Sequence, residues 1–374
     1  MQINQIKISK FISASAKKLI CLKPNTDSYS GFLKKHLTQY LDDLTNLNVV
    51  TKDRQIAITI RDIARVNDLI FKIADFYENG DVYKATNTFF DELMFDPAIF
   101  GIIDKATNPL DPDAIFYRAR KSSIDNANNN LEQKDMFHNA FSKRRKIVNY
   151  RFSINGYPCL YLSNCSYLCW EEMNRPNLHE LCVSKYKYVG INDSIWTVNL
   201  DPIIFNKRHI YDSLKQPSVI PIHWLCNLLI RIPLFFIFLN RVKEPGSHFK
   251  PEYIFPQMFT NFIKEGVLNT PAQGIKYPST KVMDNECTFF NYIFFSYPNA
   301  CKGEYCDFLS TNFHFTEGFP ITYSLIKTNK TTSYNPPFAS KFINIAHGMP
   351  TEYSSTIFFN HESILNSISE SKLP

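Results

Sequence analysis

A change of hydrophobic period near residues 107–113 constrains this chain more than any other feature. Before it, apolar residues recur at helical spacing. Leu33, Leu37, Tyr40 or Leu41, and Leu44 follow Ser30, which reads as an N-cap. Ile56, Ile60, Ile63, Ile70, Ile73 and Tyr77 then form one stripe that Gly80 stops. A third helix is expected over 84–95, ending at Asp96-Pro97. After the turn-rich Thr107-Asn108-Pro109-Leu110-Asp111-Pro112-Asp113, the runs become short and apolar, at 114–119, 159–163, 194–200, 234–239, 274–277 and 289–295. An aromatic-rich stretch from Tyr305 to about Phe359 continues in strand-like fashion. The pattern predicts an α+β chain: an N-terminal α-helical domain over 1–108, a mixed β-sheet domain with interleaved helices over 113–360, and a frayed tail over 361–374.

Composition supports a packed chain. With 374 residues, 44% of them hydrophobic, there is enough apolar material for two cores, and 20% charged residues do not make a disordered composition. The net charge of +6 is spread thinly; Lys143-Arg144-Arg145-Lys146 is the one dense basic cluster, read as a solvated face, with an anion or nucleic acid as the alternative. Nine cysteines include no C-x-x-C pair, and Cys301 and Cys306 have no zinc-type companions. Reduced thiols and the lack of an apolar signal core in the first residues point to the cytoplasm. Residues 219–239 are apolar enough to suggest a membrane span, but His223, Asn227, Arg231 and Pro233 would each be costly in lipid. The expectation is a helix over 223–231, broken by Pro233, then a buried strand, with no membrane contact.

The residues that could carry chemistry gather around 136–176. Residues 158–163 read as a buried strand, Ser163 or Asn164 as a helix N-cap, and 165–175 as a helix stopped by Pro176. That places Tyr161 on a strand and Glu172 near the end of the next helix. Glu171 is its rival; the two differ by about 100° around a helix, so only one can face the strand. Arg118 and Arg151, from different segments, suit a pyrophosphate, because a guanidinium offers two parallel hydrogen bonds. A tyrosine can stack on a base, and a carboxylate can stabilise the positive charge that builds on a ribose as its base departs. This chemistry asks for no metal and no resident cofactor.

The order Arg151, Asn155-Gly156-Tyr157-Pro158, Leu160-Tyr161-Leu162-Ser163, Glu172 resembles the RES-domain family. Upstream, Ile115-Phe116-Tyr117-Arg118-Ala119-Arg120 is similar to the family's opening arginine motif. Downstream, Tyr253-Ile254-Phe255-Pro256-Gln257 and Gly274-Ile275-Lys276-Tyr277-Pro278-Ser279 are similar to its serine motif. The likeness covers roughly residues 113–297. Many members carry an asparagine two places after the second arginine; here Ser153 stands there and Asn155 lies beyond it. The resemblance implies an ADP-ribosyltransferase-like sheet domain with NAD+ as substrate, cleaved between nicotinamide and ribose. The acceptor stays open among water, inorganic phosphate and a protein. It also implies a growth-inhibiting toxin or defence effector, paired with a helix-turn-helix antitoxin or immunity protein. By position, Arg118 and Arg151 would grip NAD+, Tyr161 would pack on its nicotinamide or ribose, and Asn155 would be a substrate contact. Glu172 would stabilise the cation, and Ser279 would orient the ribose or that glutamate. His138 and Glu171 are second-tier candidates. Some members carry a helical domain with an arginine-x4-histidine ribonuclease signature; here His36 lacks the arginine, so that activity is not expected. Two readings of other classes remain: a nucleotide- or nucleic-acid-binding module built on residues 143–146, and helices that serve only for oligomerisation or antitoxin docking.

Overall fold

The computed structural model describes residues 2–19, 22–47, 54–122, 130–190, 194–201, 221–282, 289–297, 303–326, 342–346 and 349–373. Val219, Ile220, Cys301 and residues 327–341, which figure in the expectations above, lie outside them. The fold is mixed α+β, with helices first and then a mixed sheet with interleaved helices. It divides into two compact units: 1–107 with 150–152 and 200–270, and 108–149 with 153–199 and 271–374.

The first unit is helical. Its helices include Tyr29–Thr45, Arg54–Glu78, Pro97–Lys105, Ile222–Leu239 and Ile254–Lys264. The stripe residues Leu33, Leu37, Leu44, Ile63, Ile70 and Ile73 are fully buried, as their spacing predicts. The cap of Tyr29–Thr45 is Ser28, not Ser30; its hydroxyl accepts from Gly31 N at 2.9 Å. Ser30 lies in the first turn and donates to Asp75 instead. Residues 84–95 are not one helix but Val82–Asn87 followed by a π turn, Thr88–Met94. Asp96 caps the next helix through Ala98 N, with Pro97 at its first position.

The expected strand at 234–239 is instead helix. Ile222–Leu239 runs straight through Pro233. Proline lacks an N–H, so the carbonyl of Leu229, one turn back, loses its helical partner. Tyr40 replaces it: its hydroxyl donates to Leu229 O at 2.9 Å, and burial raises its pKa, keeping the donor proton on. The helix then buries its apolar face against Arg54–Glu78, so residues 200–270 belong with the helical unit rather than with a continuous 113–360 domain. By length and composition it could span a membrane, yet 78% of it is buried inside the protein. Tyr40→Phe should cost about 1–2 kcal/mol by denaturant titration. In a Pro233→Ala background, where alanine restores the N–H, that cost should nearly vanish. An undiminished cost there would show that Tyr40 does not serve the proline gap.

The second unit is built on a nine-stranded sheet: β1 (Thr107–Pro109), β2 (Ile115–Lys121), β3 (Cys159–Ser163), β4 (Leu181–Tyr188), β5 (Trp196–Asn199), β6 (Gly274–Pro278), β7 (Phe290–Phe295), β8 (Phe313–Phe315) and β9 (Phe319–Pro320). The order is β1-β5-β6-β7-β3-β2-β4-β8, with β9 also on β4; β5 and β6 are parallel. Two halves meet between β2 and β3, which pair only at Tyr117 and Ser163. Beyond that point β2 stays with β4 and β3 with β7. Gly274 keeps β6 close to β7, since a Cβ there would lie 2.5 Å from the Ile293 carbonyl oxygen. The aromatic stretch after Tyr305 is mixed, with helices Asp307–Asn312 and Ile357–Asn366 among its strands. The tail expected to fray does not. His361 and Glu362 are fully buried, Leu365 joins the core, and Phe315 and Ser371 exchange backbone hydrogen bonds.

Candidate active site

Register places the site. Ser163 on β3 pairs with Asn291 on β7, which pairs with Tyr277 on β6; Tyr161 pairs with Ile293. Paired positions share a face of the sheet, so these side chains point one way. Helix Ser166–Glu172 packs on the same face, with Leu168 and Cys169 clustered against Tyr117.

Neither Ser163 nor Asn164 caps that helix. Ser163 donates to Asn291 Oδ1 at 2.7 Å, and Asn164 Oδ1 accepts from Phe290 N at 3.1 Å. The capping oxygen comes from far along the chain. Glu362 Oε1 accepts from Ser166 N and Ser166 Oγ, both at 2.6 Å, and from the Tyr353 hydroxyl at 2.7 Å. The helix ends at Glu172 rather than reaching Arg175, because Asn174 and Arg175 turn left-handed, with φ of 62° and 53°.

The two glutamates point to different partners. Glu171 forms a bidentate pair with Arg175, at 3.0 and 2.7 Å, and Arg175 lies over the Trp170 ring. Glu172 reaches the sheet. Its Oε1 accepts from Ser279 Oγ at 2.7 Å and from Asn291 Nδ2 at 2.7 Å. Ser279 is buried, and its hydroxyl takes the backbone N–H of Lys281 and of Val282. Among the described residues, Glu172 Oε2 makes no hydrogen bond and has Lys281 Nζ at 3.8 Å, and the side chain is 32% exposed. One oxygen is therefore anchored and the other open. Lys281 also donates to Glu172 O at 2.7 Å, where a cation suits a helix C-terminus.

Arg118 donates through Nη1 to Tyr161 O at 2.7 Å, at the point where β2 and β3 part. Its buried Nε carries no hydrogen bond among the described residues. Arg118 and Glu172 share a neighbour in Cys169. Burial pushes that thiol up to about 12; the Ser163 hydrogen bond and the Arg118 charge act against this, and the Glu172 charge adds to it. Tyr161 is half-buried on the same face. Asn155 is exposed in the turn that Gly156 makes at φ 66°. Arg151 belongs to the helical unit. There it is buried, donates to the Phe238 and Asn240 carbonyls at 3.1 and 2.5 Å, and lies over the Tyr253 ring.

His138 is fully buried and hydrogen-bonded through both ring nitrogens. Nε2 accepts from Cys306 N at 2.9 Å, which leaves Nδ1 to donate to Asn139 O at 2.8 Å. Burial lowers its pKa from 6.5 to about 4; the Asn139 carbonyl opposes the drop, and the charges of Arg118 and Arg120 add to it. Between those values the unfolded chain binds the extra proton. Stability from this group should therefore be intact above pH 6.5 and fall by about 3 kcal/mol towards pH 4. His361, lowered to about 3, acts in the same direction. Denaturant titrations at several pH values should show a flatter dependence for His138→Gln than for wild type. Parallel pH slopes would rule His138 out as a source.

Asn291 and Lys281 are not singled out by sequence, and Ser163 is read there as a helix cap rather than as a partner of the carboxylate. One signal existed: Asn291 is the lone polar residue in the run 289–295. Cavities among the described residues lie elsewhere. One of about 320 Å³ is lined by Thr59, Asp62, Lys105, His223 and Asn227, and one of about 360 Å³ by Lys185, Lys187, Ser369 and Glu370.

No protein-family model matches the sequence, and no solved structure matches it. The chain is similar to a Bacillus subtilis (strain 168) protein named "Putative toxin YopC", with 27% identity over 235 residues. That similarity covers 61% of this chain and 51% of the relative, so the chain spans about half the length of the curated protein it matches.

Proposed function

We propose that the sheet unit cleaves NAD+ between nicotinamide and ribose, and that the chain acts as a growth-inhibiting toxin or defence effector. The observation that carries this is Glu172, with one oxygen fixed by Ser279 and Asn291 and the other open beside Lys281. As the C1′–N bond breaks, its electron pair leaves with nicotinamide and the ribose becomes cationic. The open oxygen of Glu172 stabilises that charge and takes a ribose hydroxyl. Water or inorganic phosphate then attacks C1′ and loses a proton; a protein nucleophile in its place would make the chain an ADP-ribosyltransferase. Arg118, half-buried and held against the Tyr161 carbonyl, would supply guanidinium charge to the pyrophosphate, and Tyr161 offers a ring face. In this reading Arg151 plays no phosphate-binding part, because its fork is already held by two carbonyls. The resemblance to RES domains supports the substrate, and the name of the Bacillus subtilis relative supports the toxin role. A pure nucleotide-binding module would use such a carboxylate to hold a ribose hydroxyl and would release no nicotinamide.

The test is incubation of the purified protein with NAD+, with and without phosphate, and identification of products by mass. Nicotinamide with ADP-ribose marks hydrolysis, nicotinamide with ADP-ribose phosphate marks phosphorolysis, and a protein that gains ADP-ribose marks transfer. Failure to release nicotinamide either with or without phosphate would overturn the proposal.

A further inference from the structure

We infer that Asn291, oriented by Ser163, is a positioning residue that fixes the working carboxylate of Glu172. This rests on the reading of Glu172 as the group that stabilises the ribosyl cation. The geometry is a relay. Ser163 Oγ donates to Asn291 Oδ1 at 2.7 Å, and Asn291 Nδ2 donates to Glu172 Oε1 at 2.7 Å. An amide has one acceptor end and one donor end. With the acceptor end taken by Ser163, the NH2 can only face the glutamate. Ser163 therefore sets the sense of the amide as well as its place.

The platform under the relay is rigid. Asn291 is flanked by Ser163 on one side and Tyr277 on the other, so its backbone is held by two neighbouring strands. The adjoining Phe290 exchanges two hydrogen bonds with Asn164, through N to Asn164 Oδ1 and O to Asn164 N, both at 3.1 Å. Both relay residues are 5% exposed. Burying an amide in a strand otherwise made of Phe, Tyr and Ile carries a desolvation cost that an apolar residue would avoid. Packing alone gives no reason for asparagine here; a directed donor does.

The relay also explains why Glu172 needs two clamps. Ser279 reaches Oε1 from the segment after β6, and Asn291 reaches the same atom from β7. Two donors from different segments fix a point and a direction, so the carboxylate cannot swing about a single bond. Oε2 then projects in one direction, ready for the ribose. Orientation held before substrate arrives is what separates a fast site from a slow one.

The decisive variant is Asn291→Leu, which keeps about the same size but removes the donor. It should keep its melting temperature to within a few degrees and its KM within about threefold, while kcat falls about 30-fold or more. Ser163→Ala, which frees the amide to turn, should lower kcat about tenfold, and Ser163→Thr, which restores a hydroxyl, should recover most of it. Wild-type kcat in Asn291→Leu would overturn the assignment. So would a loss in Ser163→Ala that Ser163→Thr does not repair. A second readout is independent of turnover. The Asn291 side-chain NH2 pair, assigned by its absence from Asn291→Ala, should move in nitrogen–proton NMR spectra of both Glu172→Gln and Ser163→Ala. If the wild-type protein leaves NAD+ intact while this resonance moves as stated, the reaction is wrong and the relay stands. If the resonance is unmoved in both variants, the relay is wrong whatever the reaction.

Discussion

Glu172→Gln is expected to lower nicotinamide release by on the order of 10³-fold, with little change in the unfolding midpoint. Glutamine has the same shape, and its carbonyl can still accept from Ser279 and Asn291. What disappears is the charge, and the open position now carries an NH2 group where the carboxylate oxygen faced the site. The ribosyl cation would then meet a donor dipole in place of an anion. The loss should fall on kcat, because the charge it answers exists only as the bond breaks. Glu171→Gln makes the internal control. That neighbour is committed to Arg175, so its variant should lose some stability and retain activity within a few-fold. Turnover of Glu172→Gln at the wild-type rate would take the carboxylate out of the reaction.

Glu362→Ala should have the largest effect on stability, about 3–5 kcal/mol, read by denaturant titration. Three donors converge on one of its oxygens, and the residue is fully buried. Alanine would strand the Ser166 N–H, the Ser166 hydroxyl and the Tyr353 hydroxyl, all buried, without their acceptor. Glu362→Gln keeps a carbonyl for them and should cost less. The effect should also reach the chemistry. Ser166 opens the helix that Glu172 ends, so a loosened first turn leaves the carboxylate less well aimed. A Glu362→Ala variant of unchanged stability would mean that those donors find other partners.

Much of this was readable from the chain because it is local. Strand runs at 114–119, 159–163 and 289–295 alternate or are continuously apolar, and each becomes a strand. The 100° separation of Glu171 and Glu172 is a property of helix geometry, and the two do take different partners. What sequence hid was long-range. Nothing near Pro233 announces that Tyr40 will take the carbonyl the proline leaves unpaired, so the stretch looked like a helix end and a strand. Nothing near Ser166 announces a cap from Glu362, almost two hundred residues on, so local hydroxyls looked like the cap. Asn291 lay in a run whose apolar character drew attention away from its one amide.

The interleaving of the two units bears on how the chain can be cut. The backbone passes between them after residues 107, 149, 152, 199 and 270. A fragment starting at the linker, the natural choice for isolating the sheet, would carry Ile222–Leu239 without Arg54–Glu78, against which that helix packs. Such a truncation would leave an oily rod with no cover, and is expected to aggregate or to need detergent on purification. Insolubility of that piece would therefore say nothing about a bilayer home for the intact polypeptide.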